Sequence, residues 1–507
     1  MKLEMLGHAN LLFRTQAGSI LFDPLFYGRH HEGVYDIYPP RRFELGGLPH
    51  FDAVVLSHAH ADHFDLPSVN LLPRRVPVLL PDDGEMIACV RGLGFTQVAI
   101  LRDFEAIELG ELTIVPTPAA PGAIEHGFIL VHDGVTAWNM IDTFPSEAAI
   151  DMVLDQYGPI DLLISPWQPL HDSAVSNGGV PEFPHAMYSR ILTMIAQIRP
   201  RVLVPGACGF SAVGPAEWTN KLLFPLTRER FIADLERLDP ELAARTQILE
   251  PGDGLTVTRA GVAFDASLLS YVESTQPYDW RARAFRPLEL VGPAVVEHRG
   301  EAASIRECGE AIRTLFEEAL PAFVADHFKA FRWHRDWQPV RQYEVVFDGG
   351  ERRHWTASFT SEGLEVREGE SPLRSAFTTI SAGLLIGLFG GALSWDYAEM
   401  SGEMRRFDFT YGVDSRGLRL PHSVNLHDPL AQMLGSPSEH EQYRSNLVEA
   451  LANEYQKAMA NSGETSSDPS WTLDSPGAGA LIDPTAIATS VMKSLGISTV
   501  DMPEGNV

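Results

Sequence analysis

A chain of 507 residues is longer than one hydrophobic core usually organises, and 45% hydrophobic with 21% charged residues is globular composition, so two or three domains are expected. The 67 acidic against 39 basic side chains give a formal charge of -28, which repels phosphate backbones and anionic membrane surfaces and excludes nucleic acid and membrane as expected partners. Three scattered cysteines without a C-x-x-C pair argue against a disulfide framework. The opening M-K-L-E-M-L-G-H-A-N has no leader pattern, and the most apolar stretch, Gly383 to Trp395, is too short and glycine-rich to cross a bilayer; a cytoplasmic protein is expected.

From Lys2 to about Ala260, short apolar strands alternate with turn signals. L-L-F-R-T-Q-A-G-S-I-L-F-D-P reads as a hairpin, A-V-V-L-S as a buried strand, and V-P-V-L-L-P as another. L-T-I-V-P-T-P, G-F-I-L-V-H-D-G-V-T-A-W-N-M-I-D-T, D-L-L-I-S-P and R-V-L-V-P-G follow, with helical spacing over Ser146 to Tyr157 and Pro184 to Ile198. Strands followed by strands mixed with helices predict sheets covered by helices, an α/β domain over residues 1–265. After a linker at 266–303, a smaller α+β domain is expected over 304–458. Its signals are a helical stretch from Ser304, strands at Gln342 to Phe347, Trp355 to Thr360 and Gly363 to Arg367, an apolar helix at Ala382 to Leu388, and a strand at Met404 to Phe409. Residues 459–507 have the composition of a flexible tail.

The chemistry-bearing stretch is V-V-L-S-H-A-H-A-D-H-F-D, Val54 to Asp65. A strand that runs straight into His58, His60, Asp62 and His63 forms a chelating loop at a sheet edge, and imidazole with carboxylate suits zinc, iron or manganese. Asp142 ends a strand in W-N-M-I-D-T, His126 precedes that strand in A-I-E-H-G-F, and His171 with Asp172 falls in P-W-Q-P-L-H-D-S, a segment expected to wall the pocket. The alternatives are a turn or cap for Asp142, a surface position for His126, and a helix-capping or exposed His-Asp pair at 171 and 172. His8 reads as a satisfied core histidine or a buttress of the site. Asp23, in F-D-P-L, reads as fixing a turn near the loop.

S-H-A-H-A-D-H, together with G-H-A-N-L-L, F-D-P-L and I-D-T in order, resembles the metallo-β-lactamase superfamily. The resemblance implies an αββα sandwich, with His58, His60 and His126 holding one metal, Asp62 and His63 a second, and Asp142 between them. Hydrolytic members carry a late histidine where this chain has V-L-V-P-G-A-C-G-F, with Ala207 and Cys208. A narrower resemblance covers roughly Leu6 to Thr258 and is to the metallo-β-lactamase-like half of the CMP-N-acetylneuraminate hydroxylases, non-haem iron oxygenases fed by their own Rieske cluster. L-P-H-F-D-A-V-V-L-S-H-A-H-A-D-H, N-M-I-D-T-F-P-S, S-N-G-G-V-P-E-F-P, R-V-L-V-P-G-A-C-G-F and I-L-E-P-G-D-G-L-T-V carry it, and that family's late segment also lacks the histidine. The paired Cys and His motifs of a Rieske cluster are missing here, so electrons would have to come from a separate protein.

Tyr343 to Phe409 resembles the sterol-carrier-protein-like fold through V-V-F-D-G-G, L-E-V-R-E-G-E, F-T-T-I-S-A-G-L-L-I-G-L-F-G-G and A-E-M-S-G-E-M-R-R-F-D. That fold holds an acyl chain in an apolar tunnel or joins two chains into a homodimer. Three functions follow. The slightly preferred one is an iron oxygenase acting on a small molecule. The second is a hydrolase of an ester, amide or phosphodiester that uses a metal-bound hydroxide, zinc being the alternative to iron, with Asp62 as proton acceptor; in either enzyme His171 is expected to support a ligand or contact substrate. The third is an apolar-ligand binding protein with a vestigial metal site.

Overall fold

A computed structural model describes residues 1–119, 122–169, 182–207, 209–286 and 305–436 except 392, 396, 397, 399–402, 422, 423 and 425, with 443, 445, 446 and 448 beyond them. The expected tail at 459–507, His171 with Asp172, and Cys208 lie outside the described residues. Contacts divide the chain into two units, Met1–Arg286 with Val413–Leu418, and Pro287–Gly412 with Arg419–Val507.

The first unit is built on two sheets. In the eight-stranded sheet, Lys2–Gly7, Asn10–Arg14 and Ser19–Phe22 form an antiparallel meander. Ser19–Phe22 then leads to Ala53–Val55, Val78–Leu80 and Val98–Ile100 in parallel, and Gly254–Val257 and Val262–Asp265 complete the other edge. The second sheet orders Ile107–Leu109, Leu112–Pro118, His126–His132, Val135–Asn139, Leu162–Ser165 and Val202–Pro205. Its last two steps are parallel, and the crossovers carry the helices Glu147–Tyr157 and His185–Ile198, the arrangement that lays helices over a sheet face. Both helices match the spacing in the sequence, and Ser146 caps the first by accepting from the Ala149 amide at 3.2 Å.

Alternation along the strands decides the layers. Leu3, Met5, Leu11, Phe13, Phe22 and Val55 pack against Ile114, Phe128, Leu130, Ala137, Leu162 and Val202, so the two sheets share one dry interior. The intervening positions Leu6, Leu12, Leu21, Val54, Val78 and Leu80 turn outward and bury Met86 and Val90 of the helix Gly84–Gly92. The result is the expected α/β, αββα layering. The region expected as a linker begins within this unit, because Val272–Ser274 pairs with Arg41–Phe43 and Trp280–Arg283 is helical.

The second unit has a five-stranded sheet in the order Leu364–Glu368, Arg352–Phe359, Val340–Val346, Ala376–Ser381, Met404–Asp408. Helical residues Ile312, Leu315, Phe316 and Leu320 pack on Tyr343, Val345 and Trp355. The apolar helix runs Ala382–Phe389, capped by Ser381, and its Leu384, Leu385 and Leu388 sit in that same core. Its apolar character is therefore used inside the unit. No helix of the described residues is long and apolar enough to cross a membrane.

Candidate metal centre

The centre forms where parallel strands of the first sheet end. After Val55 the chain turns through residues 57–64, closed by His63 and Phe64 amides on the His60 carbonyl at 2.9 and 2.7 Å, and then starts the short helix Leu66–Val69 under an Asp65 cap. The neighbouring strand Ser19–Phe22 delivers Asp23, fully buried and at φ 38, into this turn. Asp23 accepts the Ser57 amide on Oδ1 at 2.8 Å, and on Oδ2 the Ser57 hydroxyl at 2.7 Å and His63 Nδ1 at 2.9 Å. Since the Ser57 proton goes to Asp23, its oxygen is left to accept from His58 Nδ1 at 2.9 Å. One carboxylate thus assigns both imidazoles the orientation with Nδ1–H outward and Nε2 toward the centre, the arrangement usual for histidines that bind metal.

Around those Nε2 atoms, His58, His63 and Asp142 bring ligand atoms within 4.8 Å of one another. His63 Nε2 lies 3.4 Å from Asp142 Oδ2 and 3.5 Å from Asp62 Oδ2, and His58 Nε2 lies 3.9 Å from Asp142 Oδ2. His63 Nε2 and Asp142 Oδ1 are buried, and neither makes a hydrogen bond. Buried polar atoms are otherwise nearly always satisfied, so an orphaned His63 Nε2 facing Asp142 Oδ2, on a carboxylate whose other oxygen is also unpaired, fits a metal ion. Asp142 reaches this point because Ile141, a β-branched residue, holds φ 58, a backbone state that costs on the order of 1–3 kcal/mol.

The charges are mutually set. Burial lowers the proton affinity of His63, but Asp142 and Asp62 outweigh it and hold the ring well above the ordinary histidine range. Burial raises both carboxyls, yet His63 foremost keeps Asp142 and Asp62 well below theirs. Burial and the charge of His63 push His58 down to about 4. Two acids and two bases thus share few protons, and a cation would replace the proton on His63.

The predicted residues divide. His58, Asp62, His63 and Asp142 converge. His60 is exposed, with Nδ1 2.8 Å from His58 Nε2, at the mouth of the cluster. His126 donates its amide to the Ser57 carbonyl at 3.3 Å, while its ring turns to Asp103, Nε2 to Oδ1 3.1 Å, and joins neither group of converging ligand atoms among the described residues. The residue beside it, Glu125, is the one that feels the cluster. Burial first and the charge of Asp142 second raise its carboxyl, and His60 and His63 oppose them. Neighbouring residues entering a strand point to opposite sides, so A-I-E-H offered two candidates, of which the sequence reading took one. Of the two readings of His8, core histidine or buttress of the site, its place favours the second: it is buried and forms a second group with Asp62 and His63.

Residues 19–206 match the family model described as "Beta-lactamase superfamily domain". The chain is 30% identical over 173 residues to a putative Rieske 2Fe-2S iron-sulfur protein of Mycobacterium tuberculosis, covering 32% of this chain and 33% of that one. It is 30% identical over 148 residues to the 4-amino-L-phenylalanyl-[CmlP-peptidyl-carrier-protein] 3-hydroxylase of Streptomyces venezuelae, covering 27% and 26%. The chain thus spans about a third or less of the length of these curated relatives. Among solved structures, CmlA, a diiron beta-hydroxylase from Streptomyces venezuelae, aligns with 21% identity over 41% of this chain and 44% of that one at a TM-score of 0.32. The isothiocyanate hydrolase from Delia radicum gut bacteria aligns with 17% identity over 51% and 99% at 0.37. With the family match spanning the strand, loop and strand-end aspartate that build the cluster, the chain carries a metallo-β-lactamase superfamily domain.

Proposed function

We propose that this chain is a non-haem iron oxygenase acting on a small molecule, with electrons delivered by a separate protein. The observation that carries the reading is the convergence of His58, His63 and Asp142, with His63 Nε2 and Asp142 Oδ1 left without hydrogen-bond partners, and with Ala207 where hydrolytic members place a late histidine. Two curated relatives support it, since one is named as a putative Rieske iron-sulfur protein and another as a hydroxylase. His58, His60, Asp62, His63 and Asp142 would hold the ion, with Glu125 rather than His126 nearest to them in charge.

Iron supplies activation of dioxygen when bound. The overall change takes a C–H bond, dioxygen, two electrons and two protons to an alcohol and water, and the electrons enter from outside because the chain lacks paired Rieske ligands. Asp23 keeps both Nε2 atoms facing the centre. Burial first and the charge of Asp142 second raise the Glu125 carboxyl above the usual carboxylate range, so it is an acid whose proton affinity the cluster influences. The second unit is read as sterol-carrier-protein-like and non-catalytic, holding an acyl chain or joining two chains.

The test is metal analysis of protein purified without chelators, followed by oxygen uptake after chemical reduction. About one iron per chain, and uptake that disappears in His58→Ala, is the expected result. Two tightly held zinc ions, with hydrolysis of activated esters in the absence of oxygen and reductant, would replace this reading with a hydrolase.

A further inference from the structure

The corner of the cluster without a late histidine is occupied by another one. His8, its side chain 2% exposed, places Nε2 3.0 Å from Asp62 Oδ2, within ligand distance of Asp62 and His63. By distance alone it would serve as the missing ligand. Its other nitrogen decides otherwise. The Gly209 amide donates to His8 Nδ1 at 2.9 Å, so Nδ1 carries the lone pair and the ring proton is on Nε2. A ring that accepts on Nδ1 has no lone pair at Nε2 for a metal; it has an N–H, and Asp62 accepts it. This is the reverse of His58 and His63, whose Nδ1 atoms face acceptors.

The arrangement is built in. A Cβ on Gly209 would lie 2.8 Å from His8 Cα and 2.9 Å from the Tyr38 carbonyl oxygen, so only glycine brings its amide this close. His8 itself holds φ 53, the left-handed state that delivers its ring to this spot.

We propose that His8 is a positioning residue that grips Asp62 through Nε2–H and, because Gly209 fixes its tautomer, does not ligate, so that no histidine among the described residues takes the place of the missing late one. The proposal rests on the metal reading above only for its second arm. In the first arm, long-range proton–nitrogen spectra of metal-free protein labelled at histidine are recorded, with His8 assigned by its loss in His8→Gln. The expected signal is the Nε2–H tautomer; an Nδ1–H tautomer overturns the proposal whatever the protein catalyses.

In the second arm, zinc-loaded wild type and His8→Gln are compared by X-ray absorption. The same number of imidazole ligands and the same zinc per chain are expected, and loss of one imidazole or one equivalent in the variant makes His8 a ligand and overturns the proposal. Chelator competition then reads the grip: His8→Leu lowers zinc affinity about 10- to 100-fold, as loss of an outer partner does, and His8→Gln, which retains an N–H donor, recovers most of it. Wild-type affinity in His8→Leu overturns the grip. Wild-type protein that binds no metal removes the proposed function while leaving the tautomer result standing.

Discussion

Each unit buries a cluster of charged and hydroxyl side chains, and the two clusters differ in how they are closed. In the second unit Arg341 pairs with Asp408 at 2.8 Å and with Asp428 at 3.5 Å, and Asp428 also accepts the Tyr343 hydroxyl at 2.7 Å, the Thr378 hydroxyl at 2.9 Å and the Leu430 amide at 3.0 Å. Asp428 caps the helix Pro429–Leu434 and has a partner on each oxygen. In the first unit the acids and histidines number about the same, yet His63 Nε2 and Asp142 Oδ1 stay unsatisfied. Buried charge marks a place where the fold is specified; buried charge with converging unpaired ligand atoms marks a place where something else is to bind.

That difference is broken most directly at the ligands. His58→Ala or His63→Ala is expected to abolish most metal content while Asp428→Ala leaves it untouched, as read by elemental analysis of the purified proteins. The converse holds for stability. Asp428→Ala leaves the buried Tyr343 and Thr378 hydroxyls and the Leu430 amide without their acceptor, while Arg341 keeps Asp408, and is expected to cost about 1–3 kcal/mol in denaturant unfolding, with His58→Ala milder because it removes a group that burial already keeps uncharged. Asp23→Asn sits between the two, since an amide cannot accept from His63 and Ser57 as the carboxylate does. A loss of about 10- to 100-fold in metal affinity is expected in chelator competition, and an unchanged affinity would deny Asp23 its orienting role.

A further effect is in pH. Burial pushes His334 down to about 4, against its hydrogen bond from Nε2 to the His427 carbonyl. The unfolded chain therefore takes up this proton first, so the contribution to stability is complete above about pH 6.5 and is lost as pH falls toward 4, up to about 3 kcal/mol. Denaturant unfolding at pH 7 and at pH 4.5 should show a larger loss in wild type than in His334→Gln. Equal losses would remove His334 from the account of acid sensitivity.

Much of this was legible in the chain. A strand running into H-A-H-A-D-H and a strand-end aspartate at 142 are local patterns, and the helices at Glu147–Tyr157 and Ala382–Phe389 follow from spacing. What could not be read depends on partners far apart. Asp23 and Ser57 are 34 positions apart, and His8 and Gly209 are 201 apart, so neither the orientation of His58 and His63 nor the tautomer of His8 has a local signature. Val272–Ser274 is a strand only because Arg41–Phe43 lies beside it, which is why V-E-S read as linker. Glu125 against His126 turned on one step of strand alternation at the residue where the strand begins.

The left-handed turn at Ile141 ties these scales together. Its side chain is packed in the interior shared by the two sheets, beside the strands of Phe128 and Ile164, so the interior holds the backbone in a state it would otherwise leave, and Asp142 is aimed by that hold. Heredity sees the consequence. A change of one methyl group deep between the sheets, with no polar atom involved and the fold intact, moves the carboxylate at the cluster, and a search for inactive variants of this protein will recover greasy interior positions alongside the histidines.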